Sequence, residues 1–340
     1  MVRGAFDWRD GERLIRFGRG AAAQAVAALG GPGYLLLTTP RAGAVLPAVA
    51  EAAAGVHHVP AGAVPELAAE ALEWTHGGGP PPQDARIVAL GGGRVIDVAK
   101  AVAAGLGDGA RAMAIPTTLS GAEMTRGHRH AGGVAEDTPR VRCSVVVCDP
   151  ALAASQPTEE LAASALNALA HAVEAPCTVA ANPVATLAAR EAAQLLAGGF
   201  EDPSDPDRDA LALGALLAGY ALGSTGFGLH HVMAQTLVRH GPVGHGQANA
   251  VLLPHTAEAL RLGAGGVRAG SGAGRSADPR VRRRDAAGRA RRGRGGPRRA
   301  RRGGRGAARA RCHAAAAFAG GAAVDLRGGA VARCVFNGGH

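Results

Sequence analysis

Short apolar runs bounded by glycine and proline punctuate the first 150 residues. "GYLLLTTP" (33–40), "RIVAL" (86–90), "RAMAIPTT" (111–118) and "CSVVVCDP" (143–150) each read as a buried strand. Between them "AAAQAVAAL" (21–29), "AVLPAVAEAAA" (44–54) and "GGGRVIDVAKAVAA" (91–104) carry the apolar spacing of helices. Strands alternating with helices predict a parallel sheet covered on both faces. After residue 150 the strand runs stop, and helical patterns cover 157–175, 181–198, 208–222 and 229–238. The pattern therefore predicts an α/β chain: a parallel-sheet domain over 1–155, then an all-helical domain over 156–262. Residues 211–229 are uncharged and long enough to cross a bilayer. Their five glycines, with histidines directly after, fit a buried core helix ending in a glycine-rich turn better.

From about residue 263 the text changes character. "RRRDAAGRARRGRGGPRRARRGGRGAARAR" has neither helical nor strand periodicity and almost no large apolar side chain, so disorder is expected. Two readings of 263–340 compete. One is a basic arm for nucleic acid, which lacks the interleaved aromatics that base stacking favours. The other, preferred here, is a frame slip in a GC-rich gene, where an alanine-coding repeat turns into arginine and glycine; Lys100, the only lysine, fits such a bias.

Charge follows the same division. The formal net charge is +10, yet 261–340 holds 20 arginines against 3 aspartates, leaving 17 basic and 24 acidic residues before it. The body is mildly acidic and enzyme-like. Cys143, Cys148, Cys177, Cys312 and Cys334 form no C-x-x-C pair, and no apolar leader opens the chain. A reduced, cytoplasmic protein is expected.

The chemistry gathers in three places. Gly91, Gly92 and Gly93 end a strand and open a helix, which lets backbone amides approach a pyrophosphate at a positive helix terminus. Thr117 and Thr118 end the next strand, where ligands of parallel sheets collect. "GLHHVMAQTLVRHGPVGHGQANA" concentrates His230, His231, His240 and His245 at a helix–loop junction, as a metal or proton-handling site would.

"GGGRVIDVAK", "IPTTLSGAEMT", "NALAHAVEA" and "GLHHVMAQTLVRHGPVGHGQANAVLLPH" resemble, in order and spacing, the iron-containing alcohol dehydrogenase superfamily, most closely its maleylacetate reductase branch. The resemblance covers roughly 12–262. It implies the dehydroquinate synthase-like, iron-type alcohol dehydrogenase architecture, with NADH or NADPH between a dinucleotide-binding domain and a helical one. It implies cofactor contacts from Gly91, Gly92, Gly93, Asp97, Thr117 and Thr118. Thr39, with Arg41 nearby, stands where many members place an NAD-selecting aspartate, so NADPH is not excluded, and Arg94 replaces a serine. The superfamily's metal enzymes hold iron or zinc with one aspartate and three histidines; here those positions are Asn167, His171, His231 and His245. An amide is a poor partner for a dication. The reductase branch shares the asparagine and is thought to work without metal, so a divalent ion on His171, His231 and His245 is the alternative.

Gln235 stands where the family commonly has a proton-transferring histidine, and His240 has no counterpart. The implied reaction adds hydride to a conjugated enone, with His171, His231 and His245 meeting the enolate charge and Asn167 orienting the pocket. The substrate is a small dianionic carbonyl compound, for which Arg126 and Arg129 are the candidate binders. That loop departs from the reductases' usual sequence. A homodimer is compatible with the reading, whereas a membrane or nucleic-acid partner is not favoured. If 263–340 is genuine protein, helices that should close the domain are missing, and apolar faces within 208–238 should stand partly uncovered.

Overall fold

In the computed structural model, which describes residues 4–77, 85–241, 243 and 245–270, seven strands form one sheet. They are β1 (Phe6–Asp10), β2 (Arg13–Phe17), β3 (Leu35–Thr38), β4 (Gly55–His58), β5 (Arg86–Gly91), β6 (Arg111–Pro116) and β7 (Val145–Cys148). Their spatial order is β1-β2-β7-β6-β5-β3-β4. Every described pairing is parallel except β1 with β2. Those two form a hairpin, with Gly11 at φ 62° taking the left-handed first position of the two-residue turn. The four predicted strands are β3, β5, β6 and β7; the hairpin and β4 are additions.

The helices are α1 (Ala25–Ala28), α2 (Pro40–Val45), α3 (Pro47–Glu51), α4 (Val64–Thr75), α5 (Gly93–Leu106), α6 (Pro150–Ala153), α7 (Thr158–Glu174), α8 (Pro183–Gly198), α9 (Arg208–Thr225), α10 (Leu229–His240) and α11 (His245–Gly270). Short polar side chains start several of them. Asn182 accepts the Ala185 amide at 3.0 Å, Asp207 that of Ala210 at 3.0 Å, and Asp149 that of Ala151 at 3.0 Å. Proline at the first turn of α6 and α8 removes an amide that would lack a partner there.

Among the described residues every strand lies before residue 149. The apolar core nevertheless runs without a break from Ile87, Ala114 and Val146 of the sheet into Leu161, Leu169 and Leu211 of the helices. Helix α9 is buried along most of its length, and no single described helix is long and apolar enough to cross a membrane. The expectation of uncovered apolar faces in 208–238 divides. The described side chains of α9 lie mostly inside, whereas Leu229, Val232, Met233 and Leu237 of α10 stand exposed. Helix α11 continues to Gly270, so the predicted boundary at 262 does not coincide with a helix end. Extending an existing helix adds a hydrogen bond per residue without a new nucleation cost. The remainder of the arginine-rich stretch, with its two readings, lies outside the described residues.

Candidate active site

The cofactor-type loop is built by close packing. Gly92 and Gly93 have no room for side chains: a methyl on Gly92 would lie 3.0 Å from Thr118 Cγ2, and one on Gly93 2.9 Å from Ser120 Cβ. The Thr117 amide donates to the Gly91 carbonyl at 3.0 Å. The open amino terminus of α5 and the segment after β6 thus sit against each other at the carboxyl ends of parallel strands, where phosphates bind in such sheets. Arg94 is exposed, one residue into α5. The Thr39 hydroxyl is engaged elsewhere, capping α2 by accepting the Ala42 amide at 3.2 Å. Arg41 beside it is exposed.

The strip 118–121 reaches from this loop to the histidines. The Leu119 amide donates to Ser164 Oγ of α7 at 3.1 Å. Gly121 adopts φ +68°, and a methyl there would lie 3.4 Å from His171 Nδ1. His171 and Asn167, one helical turn apart on α7, are both buried, as is His231 on α10. The His171 and His231 rings lie 4.5 Å apart, and Phe227 stacks on His231 at 5.4 Å.

His231 is held from behind. Glu174, fully buried, accepts the backbone amides of Gly228 and His231, the latter at 2.9 Å, and faces His231 Nδ1 at 3.4 Å. Burial pushes the Glu174 carboxyl up, but the bonds from His231 and Gly228 outweigh it and hold it below the usual range. Neither Glu174 nor this geometry was visible in the sequence, although "HAVE" puts the carboxylate three residues after His171.

The four clustered histidines prove to have different surroundings. His230 turns away into a polar chain: Asn249 gives an amide hydrogen to Asn167 Oδ1 at 2.7 Å and presents its own Oδ1 to His230 Nε2 at 3.0 Å. An acceptor at that position places a proton on Nε2, and Nδ1 meets the Thr256 hydroxyl at 2.8 Å. His240 is exposed in the last turn of α10. His245 is the first residue of α11, and its side chain lies outside the described residues.

As a ligand for a divalent cation Asn167 is poor: it supplies no charge, and its oxygen already takes the Asn249 hydrogen. The side chain of His245, the third histidine of the metal alternative, lies outside the described residues. Among the described residues no three His, Cys, Asp or Glu side chains are grouped as a metal site.

Phe227, which stacks on His231, also lines a cavity of about 640 Å³ whose wall includes neither His171 nor His231. Asp97, Arg126, Arg129 and Gln235 all line it, so the structure brings the two predicted arginines to the same hollow as a predicted cofactor residue. Lys100, fully buried, fastens the loop: Nζ pairs with Asp97 at 2.8 Å and donates to the Ala122 and Gly127 carbonyls at 2.9 and 2.8 Å. Arg13 does the same from β2, donating to the Cys143 and Glu123 carbonyls.

Glu123 lies between these cations without using them fully. It is buried, its Oε2 has no hydrogen-bond partner among the described residues, and burial pushes its carboxyl up to about 7. The folded value exceeds the unfolded one, so the folded state binds the proton more tightly and stability falls as pH rises from about 4.5 through about 7. Glu123→Gln should therefore unfold like the wild type at pH 4 and prove more stable at pH 8, by at most about 3 kcal/mol. Urea midpoints at the two pH values measure this; an equal difference at both would refute the assignment.

Comparison with known proteins places this geometry. The Fe-containing alcohol dehydrogenase family, C-terminal, matches residues 161–263. Maleylacetate reductase 2 of Cupriavidus pinatubonensis is 40% identical over 179 residues, 50% of this chain and 49% of that one. The chain spans about half the length of the curated relatives it matches. The crystal structure of maleylacetate reductase from Agrobacterium tumefaciens superposes with a TM-score of 0.62 at 30% identity, covering 74% of each chain. That of an iron-containing alcohol dehydrogenase from Corynebacterium glutamicum gives 0.65 at 25% identity, covering 95% of this chain and 81% of that one. With this sheet order, glycine loop and buried histidine pair, the chain belongs to the iron-containing alcohol dehydrogenase family, on its maleylacetate reductase-like branch.

Proposed function

We propose that the protein is an NAD(P)H-dependent reductase of a conjugated enone diacid, acting as the maleylacetate reductases named above do, without a resident metal. The observation that carries the reading is the strip 118–121, which packs on Gly92 and Gly93 at one end and on His171 at the other. The strip would join a nucleotide held on the glycines to the two buried imidazoles. The lobes meet near residue 155. Gly91, Gly92, Gly93, Thr117 and Thr118 hold the pyrophosphate of NADH or NADPH, and Asp97 contacts the same cofactor. With Thr39 engaged as a cap, no carboxylate rejects a 2′-phosphate there.

When bound, the dihydronicotinamide supplies the hydride. It adds to the carbon–carbon double bond, and negative charge moves to the ketone oxygen as an enolate. His171, His231 and His245 donate hydrogen bonds to that oxygen from a site closed to water, where such bonds count most. A proton from solvent, relayed through an imidazole, completes the saturated ketone. Asn167, fixed by Asn249, shapes the pocket floor. Arg126 and Arg129 bind a substrate carboxylate.

The test is NADH or NADPH oxidation with maleylacetate, before and after exhaustive chelation. Activity is expected to survive chelation and to remain within about twofold on adding zinc or iron. Loss that either metal restores would instead select a metal-dependent alcohol dehydrogenase, and no turnover with any enone diacid would overturn the proposal.

A further inference from the structure

Two more arginines line the cavity, and the proposed reaction assigns them no role. Arg140 comes from the far end of the loop that carries Arg126 and Arg129, and Arg239 comes from α10 in the helical part. Arg140 is aimed by its Nε, which donates to the His128 carbonyl at 3.0 Å. His128 is itself pinned: Nε2 accepts the Val141 amide at 3.3 Å, so Nδ1 donates to the Arg129 carbonyl at 3.0 Å. His128 thus ties the two ends of the loop together, its ring holding the Arg129 carbonyl and the Val141 amide and its own carbonyl holding Arg140.

None of Arg126, Arg129, Arg140 and Arg239 has an ion pair among the described residues. Among the described residues the one carboxylate in the cavity wall, Asp97, is paired with Lys100. Four arginines from two separate elements therefore line a shared hollow, with no ion-pair partner among the described residues. Like charges so arranged repel, and a multiply charged anion between them relieves the repulsion. Guanidinium forks match carboxylates bidentately, so the favoured occupant is an organic dianion rather than a neutral alcohol or aldehyde.

We propose that Arg239, with Arg140, anchors a second substrate carboxylate opposite the one held by Arg126 and Arg129. The site thereby selects dicarboxylates over monocarboxylates of equal length. The inference rests on the reductase reading for its substrate, but its test needs no turnover. Adipate and hexanoate, unreactive probes of one chain length and different charge, are titrated calorimetrically onto the full chain with and without NADH. Wild type should bind adipate at least about tenfold more tightly than hexanoate, the scale of a charged hydrogen-bonded contact. Arg239→Gln should lose most of that preference while hexanoate and NADH binding change less than about threefold. Arg239→Lys should restore part of it, and Arg111→Gln, at the opposite end of β6, should keep all of it.

Equal affinities in the wild type, or an adipate preference that Arg239→Gln leaves intact, would overturn the inference. So would a loss confined to NADH, which would assign Arg239 to the cofactor's phosphates. An Arg239-dependent preference without maleylacetate reduction would sustain this subsite while sinking the reductase reading, and the reverse pattern would do the opposite.

Discussion

His231→Phe is expected to lower kcat for enone reduction by about 10²–10⁴-fold while NADH binding stays within about threefold. Phenylalanine keeps a flat ring against Phe227 and His171, so packing at 5.4 and 4.5 Å is preserved and only the nitrogens go. Glu174 keeps both backbone amides that hold it, which limits collateral unfolding. His171→Phe should cost a similar factor. If the two imidazoles serve one developing charge, the double variant should be little worse than either single one, because groups acting as a unit are not additive. Stopped-flow single turnovers separate the hydride step from product release. A variant retaining kcat within about threefold, with native circular dichroism, would remove His231 from the chemistry.

Much of this was legible in the chain because it rests on local rules. Three glycines between a strand and a helix, paired threonines after the next strand, and an asparagine and histidine four apart each state their geometry in a few residues. What escaped depends on partners far apart in sequence. Asn249 meets Asn167 across 82 positions and His230 across 19, and no spacing rule joins them. The β1–β2 hairpin hid because its inward positions at the turn end, Asp10 and Arg13, are charged, which cuts short the alternation of Phe6 and Trp8 and of Ile15 and Phe17. Nothing in the sequence marks Arg239, which the structure puts in the same cavity as Arg126 and Arg129. The glycines of α9 were read only as signs of a core helix, although two of them decide how closely the halves of the site approach.

Gly219→Val should cost about 3 kcal/mol of stability and, separately, reduce activity at least tenfold. A first side-chain carbon on Gly219 would lie 2.9 Å from both Gly121 Cα and Gly121 O, and 3.1 Å from Met124 Cβ. Backbone pressed on backbone cannot yield by rotating a side chain. Gly121, already in the left-handed region at φ +68°, has little freedom to move alone. The strip 118–121 would have to lift as a unit, carrying Ser120 away from Gly93 and Gly121 away from His171. A displacement of about 1 Å at such a junction is enough to cost catalysis heavily. Gly214→Val supplies the contrast. It lies on the same helix and is equally crowded, 2.8 Å from Leu196 Cγ, but it presses on α8 and not on the strip. Both variants should lower the urea midpoint by comparable amounts, yet below the transition only Gly219→Val should lose kcat. Equal loss of activity in the two would mean that general destabilisation, not the seating of the strip between glycine loop and histidine, governs turnover.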